Sequence, residues 1–452
     1  MKKQNNTRTQ FATKIGVIAA TVGSAVGLGN IWRFPYEAGM NGGGAFLLID
    51  LFFIFVVGVP VILAEFVIGR HSGSNVRGAF RKLGAGHSWG IMGYMSILAA
   101  TLILSFYSVV AGWTLEYCRE SLMGFGVDTS AESLHSHFDS YCTSGWGPVA
   151  WTLIFLAINY FILVRGIKNG IERMSNIMMP MLFVILVVFT INSLFMPQAS
   201  EGLTFLFKPD FSKVTPAVVL SAMGQAFFSL SLGVGVMITY SSYFKPQTQL
   251  PRTAFTIAGL DTFVAILAGV IIFPAVFTFG QQPTAGPRLV FEVLPSIFQS
   301  LQWGAFWSFL FFFLLFIASL SSTISMSEIV ITYLVDEFGM SRRTATGINI
   351  GSAMVLGTLC ALSFGPLSGF TVCGLTLFNL FDFVSSNILL PLGGMIVSIF
   401  VGWKLQRKIV VDELTSGQPQ RHPVFNSCII FCLRFVAPLC ILLVFIFGLG
   451  IF

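Results

Sequence analysis

The sequence predicts an all-α polytopic membrane protein of eleven spans, arranged as two five-helix inverted repeats whose first and sixth helices are broken. Three observations carry that reading. Hydrophobic residues fill 55% of the 452 positions, charged residues fill only 10%, and mean hydropathy is +0.83, which excludes a soluble domain. Apolar runs of about 20 residues, the length that crosses a bilayer, recur along the whole chain. Two of these runs are interrupted at their centres by glycine and small polar residues, where hydrocarbon offers nothing to satisfy a freed backbone group.

Taken in order, the spans fall near 14–38, 43–69, 90–121, 148–165, 174–194, 216–241, 253–279, 304–335, 345–364, 374–402 and 425–450. Lys2, Lys3, Arg8 and Lys14 precede the first run as they would in a signal peptide. No cleavage site follows, and Arg33 and Glu37 come directly after, so the run reads as a retained span. The expected division is a cytoplasmic N-terminal segment (1–13), a first repeat of spans 1–5 (14–194), an external loop (195–215), a second repeat of spans 6–10 (216–402), a cytoplasmic loop (403–424) and a peripheral eleventh span (425–450).

Charge sets the orientation. With the N-terminus in the cytoplasm, fifteen Lys and Arg, among them Arg70, Arg77, Arg81, Arg165, Arg342 and Lys404, fall in internal loops, against Arg119, Lys208, Lys213 and Arg288 outside. This is the positive-inside pattern. It accounts for a pI of 9.0 without a nucleic-acid partner and leaves the C-terminus external. The longest external loop, about 124–147, holds His135, His137, Asp139 and Cys142 at no metal-ligand spacing and reads as a solvated loop. Cys118 and Cys142 both map outside, where chemistry permits a disulfide.

The first break is Gly23-Ser24-Ala25-Val26-Gly27-Leu28-Gly29-Asn30, and the second is Phe228-Ser229-Leu230-Ser231-Leu232-Gly233-Val234-Gly235. Glycines this dense lower helix propensity sharply. A broken helix points unwound carbonyls at a cation and a half-helix N-terminus at an anion, so corresponding breaks in two halves mark a mid-membrane binding site. Taken alone, Gly23 and Gly27 suit close helix packing equally well.

Asn30-Ile31-Trp32-Arg33-Phe34-Pro35, after Gly27-Leu28-Gly29 and before Asn41-Gly42-Gly43-Gly44-Ala45-Phe46, resembles the signature of the neurotransmitter:sodium symporter family in its bacterial amino-acid-transporting, eleven-span branch. The resemblance runs from about Arg8 to Phe400. It implies a sodium-coupled symporter in the cell membrane, with spans 1, 2, 6 and 7 moving against a scaffold that includes 3, 4, 8 and 9. Two co-transported Na⁺ ions are implied. The first would meet Asn30, Ser229 and Asp261 with the Ala25 carbonyl; the second would meet the carbonyls of Gly23, Val26 and Ala318 with the hydroxyls of Ser321 and Ser322. Sodium is a hard cation suited to such oxygens.

The amino acid would lie between the breaks. Its carboxylate would face the Leu28 and Gly29 N–H groups and Tyr107, and its ammonium would face carbonyls near Ser24, Ala25, Phe228 and Ser231. Ile103, Phe228, Val234, Ser325 and Met326, next to Ser229 and Ser322, would shape the side-chain pocket. Arg33 with Asp382, and Arg8 with Asp336 and Tyr243, read as outer and inner gates. Glu65 reads as a buried anchor in span 2. Gly170 and Pro180 mark a place where the inner end of span 5 unwinds.

Asp261 departs from many relatives, which carry Asn there. It supplies a fixed negative charge, and Ala265 one turn on offers no hydroxyl, so chloride independence is expected. Val234 replaces a bulky aromatic, which predicts large hydrophobic L-amino acids as substrates. The alternative is a ligand-gated channel or amino-acid receptor that uses the same site without coupled transport. An enzyme is excluded, because no nucleophile, base and oxyanion constellation appears.

Overall fold

The computed structural model describes residues 10–84, 88–125, 131–280, 289–299, 301–417 and 423–450. Among these residues nine helices are long and apolar enough to cross a membrane: Gly44–Ser72, Ser88–Met123, Trp146–Leu163, Ile167–Leu194, Leu250–Thr278, Gly304–Phe338, Arg342–Leu362, Leu377–Lys404 and Pro423–Gly448. They are called spans 2 to 5 and 7 to 11. Span 1 is the pair Lys14–Ala25 and Gly29–Met40, bent by 51°. In the place of span 6 stand Pro216–Ser229 and Val236–Ser241, and an eleventh crossing is counted only by joining these two short helices.

Both expected interruptions are present. Span 1 leaves the helix at Val26, whose backbone is extended (φ −65°, ψ 116°), and resumes in a π-turn from Gly29 to Arg33. Span 6 breaks more sharply, because Ser231, Gly233 and Gly235 all take positive φ, at 52°, 81° and 89°. Three left-handed residues within five cannot continue a right-handed helix. Gly233 is required for space as well as for angle, since a Cβ there would sit 2.2 Å from the Leu390 carbonyl of span 10. Its N–H is met by Glu65, fully buried in span 2, whose Oε1 accepts at 2.8 Å. Glu65 is thus the anchor of the second break.

The remaining spans form the frame. Ser121 of span 3 shares a hydrogen bond of 2.7 Å with Ser308 of span 8, and Thr323 of span 8 donates to Asn159 of span 4 at 2.9 Å. The ends that carry Arg70, Arg77 and Arg342 define one basic face, closed by ion pairs Arg70–Glu413, Arg77–Glu337 and Arg342–Glu328. On the opposite face the chain is more regular than a solvated loop: Ala131–Thr143 and Ala199–Phe207 are helices, and Thr371–Val372 pairs antiparallel with Leu375–Thr376. Cys118 and Cys142 are buried there and are not bonded to each other. Span 5 begins at Ile167, earlier than its hydropathy suggests, because the polar turn Ile167–Glu172 is itself helical.

Gly233→Ala combines a left-handed φ with a clash against backbone, so it should destabilise the fold by about 1–3 kcal/mol or more. Thermal unfolding in detergent measures this, and an unchanged midpoint would contradict the packing described.

Candidate functional site

The two breaks meet at the centre of the molecule. Ser231, turned by its positive φ, donates its hydroxyl to the Ser24 carbonyl at 3.2 Å and ties one break to the other. Tyr107 of span 3 closes a third side, its hydroxyl accepting from the Leu28 N–H at 3.0 Å. Gly29 faces Phe228: a Cβ on it would lie 3.3 Å from that ring. An N–H freed by span 1, the Ser24 carbonyl and one phenol thus lie at the two breaks, and groups of both polarities are present there.

Beside it, Asn30, Ser229 and Asp261 converge from spans 1, 6 and 7. Asn30 Nδ2 donates to Ser229 Oγ at 3.0 Å and to Asp261 Oδ1 at 2.8 Å, and Ser229 donates to Asp261 Oδ2 at 2.5 Å. Asn30 Oδ1 accepts from the Gly27 N–H at 3.0 Å, which fixes the amide across the break. Asn30 and Asp261 are wholly buried and Ser229 nearly so. A carboxylate at that depth calls for a cation or protonation. Asp50 of span 2, which the sequence reading missed, is also buried, has one oxygen without a hydrogen-bond partner, and lies within electrostatic range of Asp261.

On the other side of span 1, Ser322 donates to the carbonyls of Val26 and Ala318, each at 3.3 Å, and Ser321 donates to Ala318 at 2.9 Å. Gly23 completes the group, 3.4 Å from Ser321 Cβ when given a Cβ of its own. Gly27 lets Ser322 approach, since a side chain there would meet Ser322 Oγ at 2.6 Å and Tyr107 Oη at 3.0 Å. Of the five residues expected at the second ion position, Val26, Ala318, Ser321 and Ser322 are thus joined by hydrogen bonds between neutral oxygens, and Gly23 packs against Ser321. Ser325 and Met326 are buried one turn beyond Ser322, Ser325 donating to the Ser322 carbonyl at 2.7 Å, and Ile103 is buried one turn before Tyr107 on span 3. Val234 is buried completely between Gly233 and Gly235. Ala25, the expected carbonyl ligand at the first position, ends the first half of span 1.

The outer gate differs from the expected pair. Arg33 does not reach Asp382: its Nε lies 3.6 Å from Glu37 on its own helix and its guanidinium covers the Phe228 ring at 4.2 Å, while Asp382 accepts from Ser386 at 2.8 Å. A cavity of about 180 Å³ beside Arg33 is lined by Glu37, Phe228, Ser386 and Asn387. Aromatic rings cluster on the same face. Phe291, in the turn after span 7, stacks on Phe138 and meets Trp32, Trp113 and Tyr117 edge-on, with centroids 5.2–6.0 Å away.

At the basic face Arg8 lies outside the described residues. Asp336 accepts from the Asn75 backbone and amide at 3.1 and 3.2 Å, and Tyr243 donates to Glu328 at 2.8 Å, which Arg342 grips through both terminal nitrogens at 3.0 and 2.6 Å. Phe11 packs edge-on against Tyr240 and Tyr243. The triad Tyr243, Glu328 and Arg342 escaped the sequence reading because its members are 85 and 14 positions apart with no local pattern. The stretch from Gly170 to Pro180 is helical throughout.

Comparisons agree with this geometry. The model of the sodium:neurotransmitter symporter family matches residues 8–127 and 127–452. The chain is 38% identical over 442 residues to the uncharacterized sodium-dependent transporter YhdH of Bacillus subtilis, covering 98% of each, and 26% identical to the sodium-dependent dopamine transporter of Bos taurus, covering 98% of this chain and 69% of the other. Its fold superposes on the crystal structure of MhsT in complex with L-phenylalanine with a TM-score of 0.89 and 44% identity, over 97% of this chain and 99% of the other. With broken spans, a buried polar centre and matches along nearly its whole length, the chain belongs to the sodium:neurotransmitter symporter family.

Proposed function

We propose that this transporter imports hydrophobic L-amino acids together with two sodium ions by alternating access, and that it needs no chloride. The basic face is then cytoplasmic, and residues 14–194 and 216–402 act as the two repeats. The observation that carries the proposal is the cluster of Asn30, Ser229 and Asp261, where a buried carboxylate, a hydroxyl and an amide gather from three spans beside the substrate position. A cation there neutralises Asp261 and requires only that the Asn30 amide turn its oxygen inward. The neutral oxygens around Ser322 suit a second ion of the same kind. The L-phenylalanine bound to MhsT supports a large apolar amino acid here, and the side-chain region, shaped by Ile103, Phe228, Val234 and Met326, offers no partner for a charged one.

Two sodium ions moving down a tenfold gradient and a 100 mV potential supply roughly 7 kcal/mol, enough to concentrate substrate on the order of 10⁵-fold. Uptake should collapse when choline replaces sodium and persist when gluconate replaces chloride. Counterflow of labelled substrate separates a carrier from the channel or receptor reading, since only a carrier exchanges.

Asp261→Asn should raise the sodium concentration for half-maximal substrate binding about tenfold, a loss near 1.4 kcal/mol, and unchanged sodium affinity would remove Asp261 from the ion site. Ser322→Ala should shift the same titration in the same direction through the second position. Val234→Phe should weaken binding of aromatic substrates by about 1–3 kcal/mol through overpacking while sparing alanine. Equal losses for large and small substrates would take Val234 out of the pocket.

A further inference from the structure

Arg434 stands inside span 11, between Leu433 and Phe435, and among the described residues no carboxylate lies within ion-pair distance of it. An arginine within a span is costly unless it is bonded or reaches the interface. Two reciprocal bonds fix it to span 10: its Nε donates to the Gly402 carbonyl at 2.6 Å, and Trp403 Nε1 donates to the Arg434 carbonyl at 3.0 Å. Its guanidinium lies 5.6 Å from the centre of the Trp403 ring, within cation–π range. Gly402 permits this approach, since a Cβ there would stand 3.0 Å from the Leu433 carbonyl. The Nε is thus used inside the protein, and the two terminal nitrogens keep the fork that matches a phosphate.

The depth of this group follows from the second break. Gly233 packs on the Leu390 carbonyl and the Gly394 amide at the middle of span 10. Lys404 ends that span about ten residues beyond Gly394, which is about 15 Å of helix and half the thickness of the hydrocarbon layer. Trp403, 59% exposed, therefore stands at the boundary where tryptophan concentrates. Lys404, Arg407 and Lys408 follow, all exposed and none of them ion-paired among the described residues, and Arg407 donates to Ser427 of span 11 at 3.2 Å. Ser427 lines an open groove with Val424, Cys428, Phe431 and Cys432. Phe431 continues this wall through Phe435 to Trp403, with ring centroids 5.4 Å apart at each step.

We propose that the ends of spans 10 and 11 on the basic face form a binding site for one anionic phospholipid. Its phosphate meets the free side of the Arg434 guanidinium and Lys404, with Arg407 and Lys408 in the headgroup layer beyond. Its glyceryl esters lie against the wall of Phe431, Phe435 and Trp403. Charge complementarity selects the lipid: four cations without acidic partners favour a headgroup of net negative charge, whereas a zwitterionic lipid brings its own ammonium into the same field. Basic pockets between spans on this side of a membrane suit such headgroups. Neither sodium nor substrate enters this assignment, so a failure of the symport reading would leave it standing.

The test uses the full-length protein in phosphatidylcholine vesicles that contain brominated phosphatidylglycerol or, in parallel, brominated phosphatidylcholine. Bromine quenches tryptophan fluorescence at contact, and the share due to Trp403 is the difference from Trp403→Phe in each background. Half-quenching should need about tenfold less of the brominated phosphatidylglycerol, and Arg434→Gln or Lys404→Gln should each cut that preference about fivefold. Lys404 is exposed, so it carries the test even if Arg434→Gln fails to fold. Arg343→Gln removes one exposed charge from the same face at the start of span 9 and should leave the preference unchanged. Equal quenching by the two lipids would overturn the proposal. An equal loss in Arg343→Gln would do so as well, because the charge of the whole face would then be selecting the lipid. Excess inorganic phosphate should leave the quenching as it is, and displacement by it would mark a site for a free anion instead.

Discussion

Backbone groups that leave a helix inside an apolar molecule must be satisfied by protein, because lipid offers neither donors nor acceptors. Everything distinctive in this structure follows from two places where that demand arises, the breaks in spans 1 and 6. Glu65 is buried in span 2 because the Gly233 N–H needs an acceptor. The Tyr107 hydroxyl faces the Leu28 N–H for the same reason, and Ser231 turns to reach the Ser24 carbonyl. These three side chains answer backbone groups that a continuous helix would have satisfied unaided.

The polar centre also gathers charge and dipoles from several spans at one depth. Once a break has gathered carbonyls, N–H groups and hydroxyls, adding Asp261 to Asn30 and Ser229 makes an anionic pocket within the span, and the Ser322 side remains neutral. The two clusters differ in character: one contains the carboxyl group of Asp261, the other only hydroxyls and carbonyls beside the bend of span 1. Asp50 of span 2 is a second buried carboxyl group near Asp261.

The two faces are closed by different physics. On the face opposite the basic loops, Phe291 and its ring of aromatic neighbours exclude water through shape, while Arg33 is held on its own helix and over Phe228 rather than across the cavity. On the basic face the closure is ionic and buried, through Glu328, Arg342 and Tyr243, with Glu172 on the end of span 1. Removing one partner from such a buried network leaves a charge uncompensated, which costs more than the loss of an exposed ion pair. Aromatic contacts slide; charged hydrogen bonds release abruptly.

The sequence by itself determined the class, the order of spans and both interruptions, because hydropathy and glycine density are local properties that act within one helix length. Of the polar centre, Asp261 stands out in the sequence because a carboxylate in a span is costly without a partner, whereas Asn30, Ser229, Ser321 and Ser322 were legible through the family resemblance. Only the tertiary structure decided their partners. Nothing local marks Glu172 as the acceptor for the Ala12 and Thr13 N–H groups, Glu328 as the acceptor for both Tyr243 and Arg342, or Asp382 as the partner of Ser386 rather than Arg33. These depend on which helix ends pack together, and a charged side chain at a span end can serve any neighbour within reach. Span lengths near the breaks were likewise decided in three dimensions, since a π-turn such as Ile167–Glu172 persists only while its polar groups find partners on another helix.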